Sequence, residues 1–271
     1  MNFPVNPTPS SDALDADIIR AGLAGHGETL AVEVHKRCGS TNTELLVREG
    51  TPGPVLLLTE EQTAGRGRRG RRWHASPGSA LMFSLRWDFA GPVTRLHGLS
   101  LATGVGLANA LRSLGAEGVA LKWPNDLLAG EGKLGGVLIE TRSSAGRVSA
   151  VLGVGINCHA QAGLEVRLGR RIAALDGLID PLPGRNAIAV RLVAELIRTL
   201  RAFDTGGLAA FHSAWEAMHA QQGARMRVRI ADGRIVAGIA EGIAADGALM
   251  LRNRRGLRCV SSGTVMRAEA A

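Results

Sequence analysis

Three stretches of this chain concentrate side chains able to act on an anion. Gln62-Thr-Ala-Gly65-Arg66-Gly67-Arg68-Arg69-Gly70-Arg71-Arg72-Trp73 puts five arginines and three glycines into one loop. Glycines let backbone N–H groups close on an anion, and guanidinium forks supply charge and paired donors. A phosphate-bearing small molecule suits such a loop; so does a nucleic-acid backbone, and so does solvent alone. The second stretch is Lys122-Trp-Pro-Asn125-Asp126, followed by Gly132-Lys133-Leu-Gly135-Gly136 and an apolar run to Glu140. Pro124 closes a strand, and Asn125-Asp126 is ordinary turn chemistry. Lys133 opens an apolar strand beside two glycines that permit close backbone approach. An ammonium there can meet a carboxylate or phosphate entering beside the sheet. The third stretch, Gly153-Val-Gly155-Ile-Asn157-Cys158, ends a strand; it either leaves a ligand ring room on the backbone or marks a bulged strand end.

Other chemistries fit poorly. Gly65 to Gly70 spells GxGxxG with Asp88 downstream, which imitates a dinucleotide fingerprint. A Rossmann loop must open a helix and cross to a parallel strand, whereas Ser76-Pro77-Gly78 breaks the chain and a new strand starts near Ala80. The GK[ST] ending of a P-loop is missing. Cys158 and His159 are adjacent, so on a strand they point to opposite faces and cannot form a nucleophile–base pair. The histidines lack metal-ligand spacing, and no GxSxG occurs.

The 271 residues, 45 % hydrophobic and 21 % charged, are globular in composition and suggest about two domains. No apolar run reaches a membrane span of about 18 residues, and the opening segment lacks a secretory pattern. Three widely spaced cysteines without CxxC point to a reducing cytoplasm. Of 32 Lys plus Arg, only Lys36, Lys122 and Lys133 are lysines, and the net charge is +8. That charge invites a nucleic-acid reading, but 3 % aromatics leave few platforms for stacking bases.

The elements that must position these residues follow from the pattern. Residues 1–28 read as a loose leader with a helix from Asp12 to Leu23, too short for a separate DNA-reading domain. Leu30–Val34 alternates as a strand, and Thr41-Asn-Thr-Glu44 is a capping box opening a short helix. Strands are expected on either side of the glycine loop, a long helix over Leu96–Leu114, and a hairpin turned by Ser143–Arg147. Asn186–Phe203 and Gly207–His219 read as amphipathic helices. After Gln222 five short strands separated by turn residues predict a small barrel, so the chain divides into 1–221 and 222–271.

Taken together, Ser40-Thr41-Asn42, Gln62–Trp73, Lys122–Asp126, Lys133–Glu140 and Gly153–Asn157 resemble the biotin protein ligases, in family order over roughly residues 30–267. Those enzymes adenylate biotin and attach it to a lysine of a carboxylase carrier domain. The resemblance implies an α+β fold, a mixed sheet with helices packed on one face followed by a small SH3-like β-barrel. It implies biotin, ATP and Mg²⁺ as ligands, a biotin carboxyl carrier domain as partner, no sequence-specific DNA binding, and a monomer or weak homodimer. By matching positions, Ser40, Thr41, Asn42, Gln62, Gly65, Arg66, Gly67, Arg68, Lys133 and Gly136 would bind biotin. Arg68, Arg69, Trp73, Lys122, Asn125, Asp126 and Asn157 would serve the nucleotide, with Lys133, Arg68, Asp126 and Lys122 catalytic and no dedicated metal ligands. His159–Pro183 matches nothing in the family pattern. A lipoate-attaching enzyme of the same broad fold and an arginine-rich nucleic-acid-binding module are the alternatives.

Overall fold

The strand Val55–Thr59 is apolar on both faces, and this sets the layering of the molecule. Leu56 and Leu58 enter the main core, whereas Val55 and Leu57 pack with Leu45 and Val151 on the other side. The computed structural model describes residues 12–26, 29–48, 53–144 and 147–266. Seven strands form the large sheet: β1 (Ala31–His35), β2 (Val55–Thr59), β3 (Ala80–Ala90), β4 (Val119–Lys122), β5 (Asp126–Ala129), β6 (Gly132–Ser144) and β7 (Arg147–Asn157). Their order is β1-β2-β3-β7-β6-β5-β4. β1 and β2 are parallel and the other described pairings antiparallel.

The helices are α1 (Ala16–Leu23), α2 (Thr41–Val47), α3 (Leu99–Ser113), α4 (Leu164–Leu168), α5 (Arg185–Gly206) and α6 (His212–Ala217). α1, α3 and α5 bury apolar residues in the main core, whose sheet side carries Leu81, Phe83, Leu85, Trp87 and Phe89 of β3. Because side chains alternate along a strand, Met82, Ser84 and Arg86 must face the other way. On that second face lies α2, the crossover that a parallel β1–β2 pair requires. The expected mixed sheet with helices on one face is therefore present, with one short helix across it. Strand β5 is an element that the sequence reading did not separate from the turn at Asn125-Asp126.

Beyond the large sheet, β8 (Arg225–Arg229), β9 (Ile235–Ile243), β10 (Leu249–Asn253), β11 (Gly256–Val260) and β12 (Thr264–Val265) form an antiparallel sheet ordered β11-β10-β9-β8-β12. β9 is shared: Ile235–Ile239 pairs with β8, and Ile239–Ile243 with β10. This small sheet contributes Val228, Leu249 and Leu251 to the same core as the large one. Trp123, buried in the turn after β4, donates from Nε1 to the Gly247 carbonyl at 3.1 Å and ties the two sheets together.

Some boundaries moved for local reasons. α1 starts at Ala16, since the Asp15 carboxylate accepts from the N–H groups of Asp17 and Ile18 at 2.8 and 3.1 Å. α3 begins at Leu99 because Gly98, at φ +79°, separates it from a 3₁₀ turn over Val93–Leu96. Gly207–His219 is divided into a 3₁₀ turn and α6. Leader residues 1–11 and the hairpin tip at 145–146 lie outside the described residues.

One buried ion network fixes the segment leading into α1. Arg185, 2 % exposed, donates from Nε to Asp12 Oδ2 at 3.0 Å and from Nη1 to Glu60 Oε2 at 2.7 Å. Glu60 also accepts from the Leu14 N–H at 2.7 Å. Removing one partner of a buried pair leaves charges uncompensated. Arg185→Ala is expected to destabilise the protein by roughly 3–5 kcal/mol in chemical denaturation; a loss below about 0.5 kcal/mol, the size of an ordinary surface change, would contradict a structural role.

Candidate functional site

The face of the large sheet that α2 only partly covers holds a cavity of about 1180 Å³. Its floor is low because β6 and β7 carry glycines there: Gly136 pairs with Gly155 in register, and Gly153 lies two residues back. A methyl group on Gly153 would collide with Asn42 Oδ1, and one on Gly155 would stand 2.6 Å from the Trp73 indole. The room on the strand backbone is thus filled by the protein's own Asn42 and Trp73, side chains from α2 and from the glycine loop.

Thr41 and Asn42 sit in the first turn of α2, and the expected capping box does not form. Ser40 is the N-cap residue but makes no side-chain cap hydrogen bond. The Thr41 N–H instead donates to Gln62 Oε1 at 3.0 Å. Ser84 Oγ lies 2.7 Å from Thr41 Oγ1 and donates to Asn42 Oδ1 at 2.6 Å. Asn42 Nδ2 donates to the Leu138 carbonyl at 3.1 Å and to Glu140 Oε2 at 2.9 Å. A remote glutamine caps the helix, which frees Thr41 and Asn42 to face the sheet.

The glycine loop folds back on itself above this face. The Gly67 N–H donates to the Arg71 carbonyl at 2.6 Å, and the Trp73 N–H to the Gly65 carbonyl at 3.0 Å. Arg69 adopts φ +58°, a left-handed conformation that costs a non-glycine residue of order 1 kcal/mol. This geometry sends its guanidinium to the small sheet, where Nη1 donates to Thr264 Oγ1 at 2.7 Å and to the Arg229 carbonyl at 3.3 Å. Burial lowers the Arg68 pKa, the neighbouring Arg69 adds to this, and Asp126 opposes it. Arg68 is accordingly a half-buried cation crowded by like charge, suited to receiving an anion.

At the other end, Lys133 Nζ pairs with Asp126 Oδ1 and lies 5.9 Å from the Trp73 ring centroid. Burial lowers the Lys133 pKa, and Asp126 counteracts by raising it. A methyl on Gly136 would stand 3.0 Å from Lys133 Nζ, so the ammonium sits in a close-fitting slot. The Asn125 amide donates to the Val137 carbonyl at 2.6 Å and fixes the turn before Asp126.

Ser40, Thr41, Asn42, Gln62, Arg66 to Arg69, Trp73, Lys122, Asn125, Asp126, Lys133 and Gly136 all line the one cavity. Two expected residues do not. Gly65 is buried at the neck of the loop, within 3.4 Å of Gln62 and Trp73 atoms if given a Cβ. Asn157, 3 % exposed, spends its amide on the carbonyls of Lys133 and Ala173, at 3.1 and 3.0 Å. Asn157 therefore holds the segment around Ala173 against the Lys133 strand and does not line the cavity itself. The segment 159–183 supplies further lining, including Val166, Leu168 and Arg171. Burial pushes the Cys158 thiol up to about 12, so no thiolate is available there.

Residues 34–157 match the Biotin/lipoate A/B protein ligase family, and residues 226–267 the Biotin protein ligase C terminal domain. A biotin–[acetyl-CoA-carboxylase] ligase of Mycobacterium tuberculosis is 36 % identical over 263 residues, covering 93 % of this chain and 95 % of that protein. The chain belongs to the biotin protein ligase family. A bifunctional ligase/repressor of Escherichia coli is 38 % identical over 215 residues, and the match spans 78 % of this ligase and 66 % of that relative. In fold, the ligase is similar to the solved biotin protein ligase of Aquifex aeolicus in complex with biotin and ATP, with a TM-score of 0.76, 24 % identity, and 88 % of this chain and 99 % of that one covered.

The tight seat of Trp73 on β7 is testable. Gly155→Ala pushes the indole off the strand and should weaken binding of ATP analogues at least tenfold by calorimetry, a change of about 1.4 kcal/mol. Unchanged affinity would show that this contact does not shape the cavity.

Proposed function

We propose that this ligase activates biotin with ATP to biotinyl-5′-AMP, releasing pyrophosphate, and then transfers the biotinyl group to a lysine of a biotin carboxyl carrier domain. The observation that carries the reading is the meeting, in one cavity, of a polar neutral pocket and a cationic end. Thr41, Asn42 and Gln62 make the first; Arg68, Lys122 and Lys133 make the second. The names of its relatives, biotin–[acetyl-CoA-carboxylase] ligases, support a carboxylase carrier as acceptor. The lysine-bearing catalytic part is residues 1–221, with 222–271 as the C-terminal domain packed on the same core. The ligase works in the cytoplasm as a monomer or weak homodimer. Among the described residues no helix is long and apolar enough to cross a membrane.

The chemistry follows from charge. A carboxylate at pH 7 is already a nucleophile, so attack on the α-phosphorus needs no general base. Bringing two anions together is the obstacle, and fixed cations with N–H groups lower it. Lys133 is the cation for the biotin carboxylate and the developing phosphate charge, and Arg68 covers the adenylate from the loop. Asp126, a carboxylate lining the cavity, would help to hold Mg²⁺ brought in with the phosphates, and the ion would supply neutralisation of phosphate charge. In the second half-reaction the bond from the biotinyl carbonyl to phosphate breaks as the acceptor amine attacks, and AMP leaves. Asp126 assists the amine in losing its proton or positions it. Closure of the loop keeps water from the mixed anhydride.

Purified protein should exchange pyrophosphate into ATP only when biotin and Mg²⁺ are supplied. Equal exchange with lipoate would favour the lipoate-attaching alternative, and none with either would end the adenylation reading.

Lys133→Arg is expected to lower biotin-dependent exchange by about two to three decades at neutral pH, the usual effect of misplacing one charge-stabilising group. Wild-type exchange should fall on the alkaline side below the ~10.4 of a free lysine, because burial favours the uncharged amine. Asp126→Asn should move that fall to still lower pH, since its carboxylate is what raises the Lys133 pKa. A pH–rate series over the three proteins checks both signs; full activity in Lys133→Arg would show that any cation serves.

A further inference from the structure

Glu140 lies on β6 beyond the cavity lining, on the same face as Gly136 and Leu138. Both of its oxygens are engaged. Oε1 and Oε2 accept from Arg66 Nη2, each at 2.7 Å, and Oε2 accepts from Asn42 Nδ2 at 2.9 Å. One carboxylate thus joins the first arginine of the glycine loop to the helix α2 side chain seated over Gly153.

The joint matters because of how the loop is built. Arg66 and Arg72 form an antiparallel bridge, and the bonds from Gly67 to Arg71 and from Trp73 to Gly65 close the segment on itself. A self-bonded loop moves as a unit, so a tether at Arg66 places the whole of it. Its five guanidinium groups repel one another. Among the described residues, Arg66–Glu140 is the ion pair that any of them makes with a carboxylate. The second tether, Arg69 to Thr264 and the Arg229 carbonyl, carries no counter-charge.

We propose that Glu140 is a positioning residue for the ligase reaction. It pins Arg66, and through the closed loop sets where Arg68 and the loop N–H groups stand over the cavity. With Leu138 and Ser84 it also locks the Asn42 amide with Nδ2 toward β6 and Oδ1 toward β3. Glu140 touches no reacting atom. Its catalytic consequence rests on the biotin-activation reading; the pin itself does not.

The experiment therefore begins without substrate. Hydrogen exchange is followed over residues 66–72 of the full-length, ligand-free protein. Glu140→Gln, isosteric and still able to accept from Asn42, should speed exchange of these amides about tenfold, and Glu140→Ala at least as much. Arg66→Gln should give the same acceleration, and the Glu140→Gln/Arg66→Gln double variant no more than either single one. Amides elsewhere, and the thermal midpoint, should stay close to wild type, since Glu140 is partly exposed. Exchange in Glu140→Gln and Glu140→Ala matching wild type overturns the proposal, and so do additive effects in the double variant. In a second measurement, biotin, ATP and serum albumin are added. The Glu140 variants should biotinylate albumin about tenfold more than wild type through escaped adenylate; retention equal to wild type removes the catalytic half of the proposal. Because the hydrogen-exchange arm uses no biotin, a failure of biotin activation in the wild type is told apart from a failure of the pin.

Discussion

The contact of Asn42 and Trp73 with the bare backbone of β7 is the constraint on which the site depends. Gly153 and Gly155 have no side chains to hold these two residues away. Asn42 can therefore reach Ser84, Leu138 and Glu140 together, and Trp73 can lie close to Lys133. A side chain at either glycine would lift α2 or the loop and change the distance between the polar pocket and the cationic end. Fixed spacing matters because an in-line attack requires two anions to be held at a set separation.

Much of this was legible in the residues. The apolar runs of β2, β3, β6 and β7 mark them as strands, and the turn chemistry around the small sheet marks each of its strands. The motifs fall in one cavity because the start of β6, the end of β7 and the loop after β2 lie at the same end of the sheet. What was not legible depends on contacts between distant segments. The box at Thr41–Glu44 has the right letters, yet Gln62 takes the N–H that a local cap would have satisfied. Asn157 shares the strand face of Gly153 and Gly155, but the carbonyls of Lys133 and Ala173 take its amide and the Ala173 segment covers it. Glu140 sits at the end of a motif, and its partners lie 98 and 74 residues away in sequence. No pattern in one chain announces such a meeting. Strand β5 was too short, at four residues beside a turn, to be separated from it.

The two sheets are joined more closely than a boundary near Gln221 suggests. They share a core, Trp123 donates to Gly247, and Arg69 spans from the glycine loop to Thr264. Leu121 also exchanges backbone hydrogen bonds with Met218 and Ala220, which covers the edge of β4. The loop is thus held between two bodies, with one end referred to the large sheet and its middle to the small one. Its left-handed Arg69 is the residue whose conformation makes that span possible.

The scarcity of lysine has a consequence for self-protection. A biotinyl adenylate acylates neutral amines, and a guanidinium, protonated at any physiological pH, is a poor target. With three lysines among 32 basic residues, the enzyme shows its own intermediate very few side-chain amines. Two of them, Lys122 and Lys133, line the cavity, and Lys133 is engaged by Asp126; Lys36 is exposed. A surface that carries its positive charge on arginine can attract acidic partners and anionic substrates while remaining nearly inert to the acyl donor made inside it.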